Sequence, residues 1–226
     1  MRLLAIGDIH GCLLQFNDLL KLVQPTSEDR LILLGDYVDR GPDSRGVLDR
    51  ILELQRTLPN LICLRGNHEI LMLDSRDQPA NQKMWLSVGG LQTLGSYGTA
   101  SGRAGKHADV PQEHWDFLAS GLLPYYETEE HIFVHAGVNY NDPLDEQDDG
   151  SLYWEFLRGE MRHHSGKTVV CGHTAQKSGE VKVIPGAVCI DTYAHGGGWL
   201  TCLDALSGRF WQVNFLGKPR QGIVEL

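Results

Sequence analysis

Gly35-Asp36-Tyr37-Val38-Asp39-Arg40-Gly41 follows directly on the apolar run Leu31-Ile32-Leu33-Leu34. A short continuous apolar run closed by glycine reads as a buried strand that hands its next residues to the edge of a sheet. Two carboxylates and a guanidinium then stand at a strand mouth. Open α/β sheets place their chemistry in the loops beyond the carboxyl ends of their strands. Asp-Arg-Gly is also ordinary turn chemistry, so the segment gains meaning from its recurrence: a strand, then glycine, then polar side chains, repeats along the chain.

Upstream, Leu3-Leu4-Ala5-Ile6 is a first strand ending at Gly7-Asp8-Ile9-His10-Gly11. Alternation along an extended chain points Asp8 and His10 the same way and Ile9 into the core, although Asp8 also suits a cap for the next helix. That helix is marked by Leu13, Leu14, Phe16, Leu19, Leu20, Leu22 and Val23 and ends near Pro25. Downstream, Asp43 or Ser44 caps a helix carrying Val47, Leu48, Ile51, Leu52 and Leu54, and Leu61-Ile62-Cys63-Leu64 delivers Arg65-Gly66-Asn67-His68-Glu69. This alternation of strands and helices is that of a parallel sheet with crossover helices.

Farther on, Ile132-Phe133-Val134 leads to His135-Ala136-Gly137, and Thr168-Val169-Val170-Cys171 to Gly172-His173-Thr174. His131 shares a strand face with His135, but only His135 stands at the end where the other polar groups gather. In the middle, Trp85, Val88, Leu91 and Leu94 predict one helix, and Pro111 opens another bearing Trp115, Phe117 and Leu118. Gly98 to Asp109 reads as a mobile loop, with His107 and His114 as surface residues. Asp142 to Asp149 reads as a solvated loop and His163-His164 as a polar helix end. From Val181 onward, four short strands (Val181 to Ile184, Val188 to Ile190, Leu200 to Leu203, Arg209 to Phe215) read as antiparallel and as a second sheet packed on the first.

The 226 residues contain no linker or low-complexity tract, which predicts a single domain over 1–226. Lys plus Arg number 20 against 29 Asp plus Glu, a net charge of −9 that offers little to a nucleic-acid backbone. The five cysteines are odd in number and widely spaced without a CxxC pair, so they read as reduced core residues of a cytoplasmic protein. The first six residues are too short for a signal peptide, and no stretch is long enough to span a membrane.

Five strand ends thus supply Asp8, His10, Asp36, Asn67, His135 and His173. Carboxylate and amide oxygens mixed with imidazole nitrogens suit Mn2+, Fe2+ or Zn2+. Six ligands exceed the needs of one ion with a reactive water. Two ions ~3.5–4 Å apart, bridged by a carboxylate and a hydroxide, would use all of them.

The motifs GDIHG, GDYVDRG, RGNHE, HAG and GHT, spread over residues 7 to 174, resemble those of the phosphoprotein phosphatase branch of the calcineurin-like binuclear metallophosphoesterases, in that family's order. The resemblance implies an α/β fold, a two-sheet sandwich flanked by helices, and two divalent metal ions, Mn2+ foremost. It implies Asp8 and His10 on the first metal, Asp36 as the bridge, and Asn67, His135 and His173 on the second. It further implies His68 as general acid, Asp39 as its orienting partner and Arg40 as a phosphate clamp. The implied activity is a bacterial-type serine/threonine or dual-specificity protein phosphatase acting on a phosphorylated protein or small phosphoester, with no nucleic-acid or membrane partner. The alternatives are a hydrolase resembling symmetrical diadenosine tetraphosphatases and a non-catalytic metal-binding scaffold.

One departure stands out. Many relatives carry an arginine two residues after a tryptophan between HAG and GHT, whereas Trp154-Glu155-Phe156 places phenylalanine there, with Arg158 as a substitute. A helix near Trp154 would set Phe156 and Arg158 ~200° apart. His195-Gly196-Gly197-Gly198-Trp199 resembles an oxyanion-hole motif, but no G-x-S-x-G nucleophile elbow accompanies it. His195 is therefore expected in a loop bordering the metal site.

Overall fold

The computed structural model describes residues 1–99 and 102–226. The first half runs β1 (Leu3–Ile6), α1 (Leu13–Val23), β2 (Arg30–Leu33), α2 (Ser44–Thr57), β3 (Leu61–Cys63) and α3 (Asn67–Asp77). Two short helices, α4 (Gln82–Trp85) and α5 (Leu91–Ser96), precede α6 (Gln112–Ser120). Then come β4 (Tyr125–Glu127), β5 (His131–Val134), α7 (Asp149–Trp154), β6 (Thr168–Cys171), β7 (Lys182–Ile184) and β8 (Ala187–Cys189). The chain closes with β9 (Trp199–Asp204), β10 (Arg209–Asn214) and β11 (Pro219–Ile223). Among the described residues no helix is long and apolar enough to cross a membrane.

The strands form two sheets, one in the order β11-β10-β9-β1-β2-β3 and the other β4-β5-β6-β8-β7. β1, β2 and β3 are parallel, with Ile6 beside Leu33 and Leu33 beside Cys63. Period-two alternation sorts their apolar residues into two cores. Leu4 and Ile6 of β1 and Leu31 and Leu33 of β2 face Phe16, Leu19, Val47, Leu48 and Ile51 of α1 and α2. Leu3, Ala5 and Ile32 point the other way and meet Phe133, Val170 and Val188 of the second sheet. The outer face of that sheet is covered by Leu152, Tyr153 and Met161. Each such fully buried aliphatic side chain is worth ~1.5–3 kcal/mol over an exposed one, so the faces fix the register. Helices thus flank a two-sheet sandwich, as expected.

The expectation for the last strands requires correction. β7 and β8 complete the second sheet, but β9, β10 and β11 extend the first sheet antiparallel beyond β1. The reason is visible in β9, buried along almost its whole length: Leu200 and Cys202 feed the helix-covered core and Leu203 the inter-sheet core. A strand apolar on both faces belongs inside a sheet.

The middle also differs. The single helix expected through Trp85 and Leu94 is broken by a wide turn at Leu86–Gly90, where Gly89 has φ +133°. Gly89 accepts a hydrogen bond from the Arg40 backbone N–H at 3.2 Å, and a Cβ there would stand 2.6 Å from that nitrogen. The break therefore seats the Asp39-Arg40 turn. His114 is not a surface residue. It is fully buried between the Tyr97 hydroxyl (2.7 Å) and Asp49 (3.0 Å). His107 is stacked on Trp85 with ring centres 5.3 Å apart. His163 is buried in an irregular segment, not a helix end. The loop expected from Gly98 to Asp109 lies in part outside the described residues.

Candidate metal centre and active site

The turn after β2 is held by a carboxylate. Glu69, fully buried, accepts backbone N–H bonds from Asp36 (2.8 Å), Tyr37 (2.8 Å), Val38 (3.3 Å) and Gly66 (2.9 Å). Four donors fix a chain that would otherwise resist its shape. Asp36, Asp39 and Arg40 have φ of 52°, 71° and 68°, and His10 and His173 have 44° and 59°. The left-handed region costs a non-glycine residue on the order of 1 kcal/mol, and its clustering at one place marks a site rather than a fold requirement. Gly66 is needed where α3 begins, because a Cβ there would meet the Asp36 side chain at 2.2 Å. Burial, then the Asp36 charge, pushes the Glu69 carboxyl up to about 7. Sequence reading quoted Glu69 within RGNHE and gave it no role. Its signal was its place three residues past Gly66 at a helix start.

Around Asp36 the structure gathers the expected side chains. Asp36 Oδ2 lies 3.3 Å from His10 Nε2, and its Oδ1 lies 3.5 Å from His135 Nε2. The ligand atoms of Asp36, His10 and His68 lie within 4.8 Å of one another, and so do those of Asp36, His135 and His173. Asp36 is common to both groups. Asn67 Oδ1 stands 3.0 Å from His135 Nε2. Asp8 accepts the His173 backbone N–H at 3.1 Å on both oxygens.

The imidazoles are oriented from behind. His10 Nδ1 faces the Val38 carbonyl at 2.9 Å and His135 Nδ1 the Leu34 carbonyl at 3.0 Å. Each Nδ1–H then donates outward and leaves the Nε2 lone pair directed at Asp36. His173 Nε2 is buried with no hydrogen-bond partner among the described residues. Burial, foremost, lowers the pKa of His10, His135 and His173, the last to about 4, so all three are neutral at pH 7.

The carboxylates tell the complementary story. Burial first, then Asp191 and Asp36, pushes Asp8 well above the usual carboxylate range. Asp191, which sequence reading missed, is buried beside Asp8. Its Oδ1 accepts the Tyr193 N–H at 3.0 Å, while Oδ2 has no hydrogen-bond partner among the described residues. Burial raises it to about 6. Buried carboxylates clustered without a buried cation are unfavourable unless positive charge joins them. Neutral imidazoles with free lone pairs and acids short of counter-charge fit divalent metal ions. The permanently charged side chain that reaches into the cluster is Arg40, exposed, with Nη1 2.8 Å from His10 Nε2.

His68 is set apart from the other imidazoles. Its Nδ1 lies 2.7 Å from Asp39 Oδ2. Asp39 also takes the Trp85 indole N–H on both oxygens (3.1 and 2.9 Å) and the Thr93 hydroxyl at 2.7 Å. Burial raises the Asp39 carboxyl, against the pull of these donors. Burial alone would lower His68, but Asp36 and Asp39 outweigh it and its pKa is raised. Trp85 and Thr93 were not expected at the site. A buried indole needs an acceptor, and that was the available clue.

His195 borders the cluster as expected, its ring edge-on to His10 at 4.8 Å. His131, at the start of β5, stays away from it. The helical argument separating Phe156 from Arg158 fails, because α7 ends at Trp154 and Glu155 is extended (φ −75°, ψ 127°). Phe156 instead lies on His173, ring centres 4.9 Å apart and planes 29° apart.

Two sheets whose parallel strands end on one Asp/His cluster place the candidate site at a single rim of the sandwich. Residues 1–198 match the calcineurin-like phosphoesterase model, and the chain belongs to that family. It is similar to serine/threonine-protein phosphatase 1 of Salmonella typhimurium, 39% identical over 90 residues, 38% of each chain. It is also similar to a symmetrical bis(5'-nucleosyl)-tetraphosphatase of Pseudomonas fluorescens, 39% identical over 136 residues, 59% of this chain and 42% of that one. The matches thus span well under half the length of these relatives. A crystal structure of a candidate diadenosine tetraphosphatase superposes with a TM-score of 0.66 at 20% identity, over 99% of this chain and 94% of that one.

Proposed function

We propose that the protein is a metal-dependent phosphomonoesterase acting on phosphorylated protein, with Asp8, His10 and Asp36 holding one divalent ion and Asp36, Asn67, His135 and His173 a second. The observation that carries the reading is Asp36, whose two oxygens face His10 on one side and His135 on the other. Mn2+ fits the mixed oxygen and nitrogen donors. When bound, such ions supply Lewis-acid charge and lower the pKa of water. The protein's own groups do the rest. Arg40, exposed at the mouth, clamps the phosphate oxygens through charge-assisted bonds. His68, held charged by Asp39, carries a proton to the departing alkoxide from its Nε2. Asp39, fixed by Trp85 and Thr93, keeps that imidazole in one orientation.

Hydrolysis of a dinucleoside polyphosphate is the second reading, favoured by the tetraphosphatase relatives. The test is turnover of phosphopeptides against diadenosine tetraphosphate by the purified Mn2+-loaded chain. Preference for the peptides in kcat/KM supports the proposal. Preference for the dinucleotide by tenfold or more overturns it.

A further inference from the structure

Beside the second ligand group runs a cleft of about 370 Å³ lined by Val138, Tyr140, Phe156, Arg158 and Met161 among others. Phe156 is 58% exposed although its ring rests on His173. The segment carrying it is fastened to the metal-centre loop, since the Leu157 N–H donates to Thr174 Oγ1 at 2.8 Å. A rigid, uncovered aromatic ring therefore touches one of the candidate metal ligands. Its charge surroundings are balanced: Arg158 and Arg162 line the cleft together with Glu155 and Glu160, and Arg162 is paired to Glu160 at 3.2 Å. Two positive and two negative side chains give no net attraction for a polyphosphate tail, which needs clustered cations. A flat, uncharged ring gains on such a platform, because aromatic pairs at ring-centre separations of ~4.5–7 Å attract beyond their buried area.

Resting on the phosphomonoesterase reading above, we infer that Phe156 is a specificity-determining residue that selects phosphoesters whose oxygen is bonded directly to an aromatic ring, as in phosphotyrosine. Because Phe156 lies directly on His173, the ring it receives stands next to the phosphate rather than a sugar away. That separates an aryl ester from a nucleotide, whose base is held off by its ribose. Tyr140, Val138 and Met161 then accommodate the residues flanking the phosphotyrosine.

The test uses the full Mn2+-loaded chain and two peptides identical except for phosphotyrosine or phosphoserine. Phe156→Ala is expected to raise KM for the phosphotyrosyl peptide about 3–10-fold, with kcat and bound manganese near the parent values. KM for the phosphoseryl peptide should change less than about twofold, and Phe156→Trp should retain the parent ratio. Equal effects on both peptides, or none, overturn the inference while leaving the phosphomonoesterase reading intact. Loss of manganese from Phe156→Ala and Phe156→Trp alike also overturns it, by making the ring a mere support for His173. Failure of the parent protein to hydrolyse either peptide overturns both readings.

Discussion

Asp39 holds His68 at 2.7 Å with both of its oxygens already committed to Trp85 and Thr93. A carboxylate so constrained has one orientation, and the imidazole it grips inherits that orientation. His68→Asn should lower kcat by ~10²–10⁴-fold with metal content unchanged. The loss should be greater for alkyl than for aryl esters, because a poor leaving group depends more on the acid. Kinetics on one substrate of each type, with elemental analysis, check this. Equal losses, or loss of metal, would remove His68 from that role.

Trp85→Phe tests the support of Asp39. It keeps the ring against His107 and deletes the indole donor, leaving a fully buried carboxylate short of one bond. Such a vacancy costs about 1–3 kcal/mol. Denaturant titration should therefore show a stability loss of that size, with a fall in kcat and an unaltered KM.

Arg40 stands within hydrogen-bond distance of His10, whereas Arg158 lines the neighbouring cleft. Removing a charge-assisted clamp costs ~1.5–3 kcal/mol, so Arg40→Ala should lower kcat/KM by roughly 10- to 150-fold. Arg158→Ala should change it by less than about threefold. A tenfold loss for Arg158→Ala at unchanged stability would place a second clamp there.

Asp191 gives a pH-dependent prediction. Its folded pKa of about 6 lies above the ordinary value of 3.8, so its ionisation opposes folding. The penalty is absent below about pH 4, grows through the interval and is complete above about pH 6, at roughly 3 kcal/mol at most. Metal-free Asp191→Asn should come close to the parent in thermal stability at pH 3.5 and exceed it at pH 8. Added Mn2+ should narrow the pH 8 gap by stabilising the parent more. A variant less stable than the parent at pH 8 without metal would contradict this.

Much of the site was legible because strand periodicity and glycine punctuation are local. Asp8, His10, Asp36, Asn67, His135 and His173 each stand just past an apolar run, and parallel strands brought those ends to one rim. What escaped was set by tertiary packing. Glu69, Trp85, Thr93 and Asp191 act through partners 33 to 183 residues away: Glu69 reaches Asp36 33 residues back, Trp85 and Thr93 reach Asp39, and Asp191 reaches Asp8. The placement of β9 to β11 escaped similarly, since a short strand does not announce which edge it joins. The failure at Phe156 and Arg158 was a wrong period: a helix was continued four residues past its end at Trp154.

The central claim is that Asp36 stands between two metal ions on which the chemistry depends. Metal content and aryl-phosphatase activity should be measured together on the chelated protein, on the protein reloaded with Mn2+, and on Asp36→Asn treated alike. The account predicts that activity disappears with the metal, returns as about two manganese ions bind per chain, and does not return in the variant. Full activity in protein shown to be free of metal would contradict it.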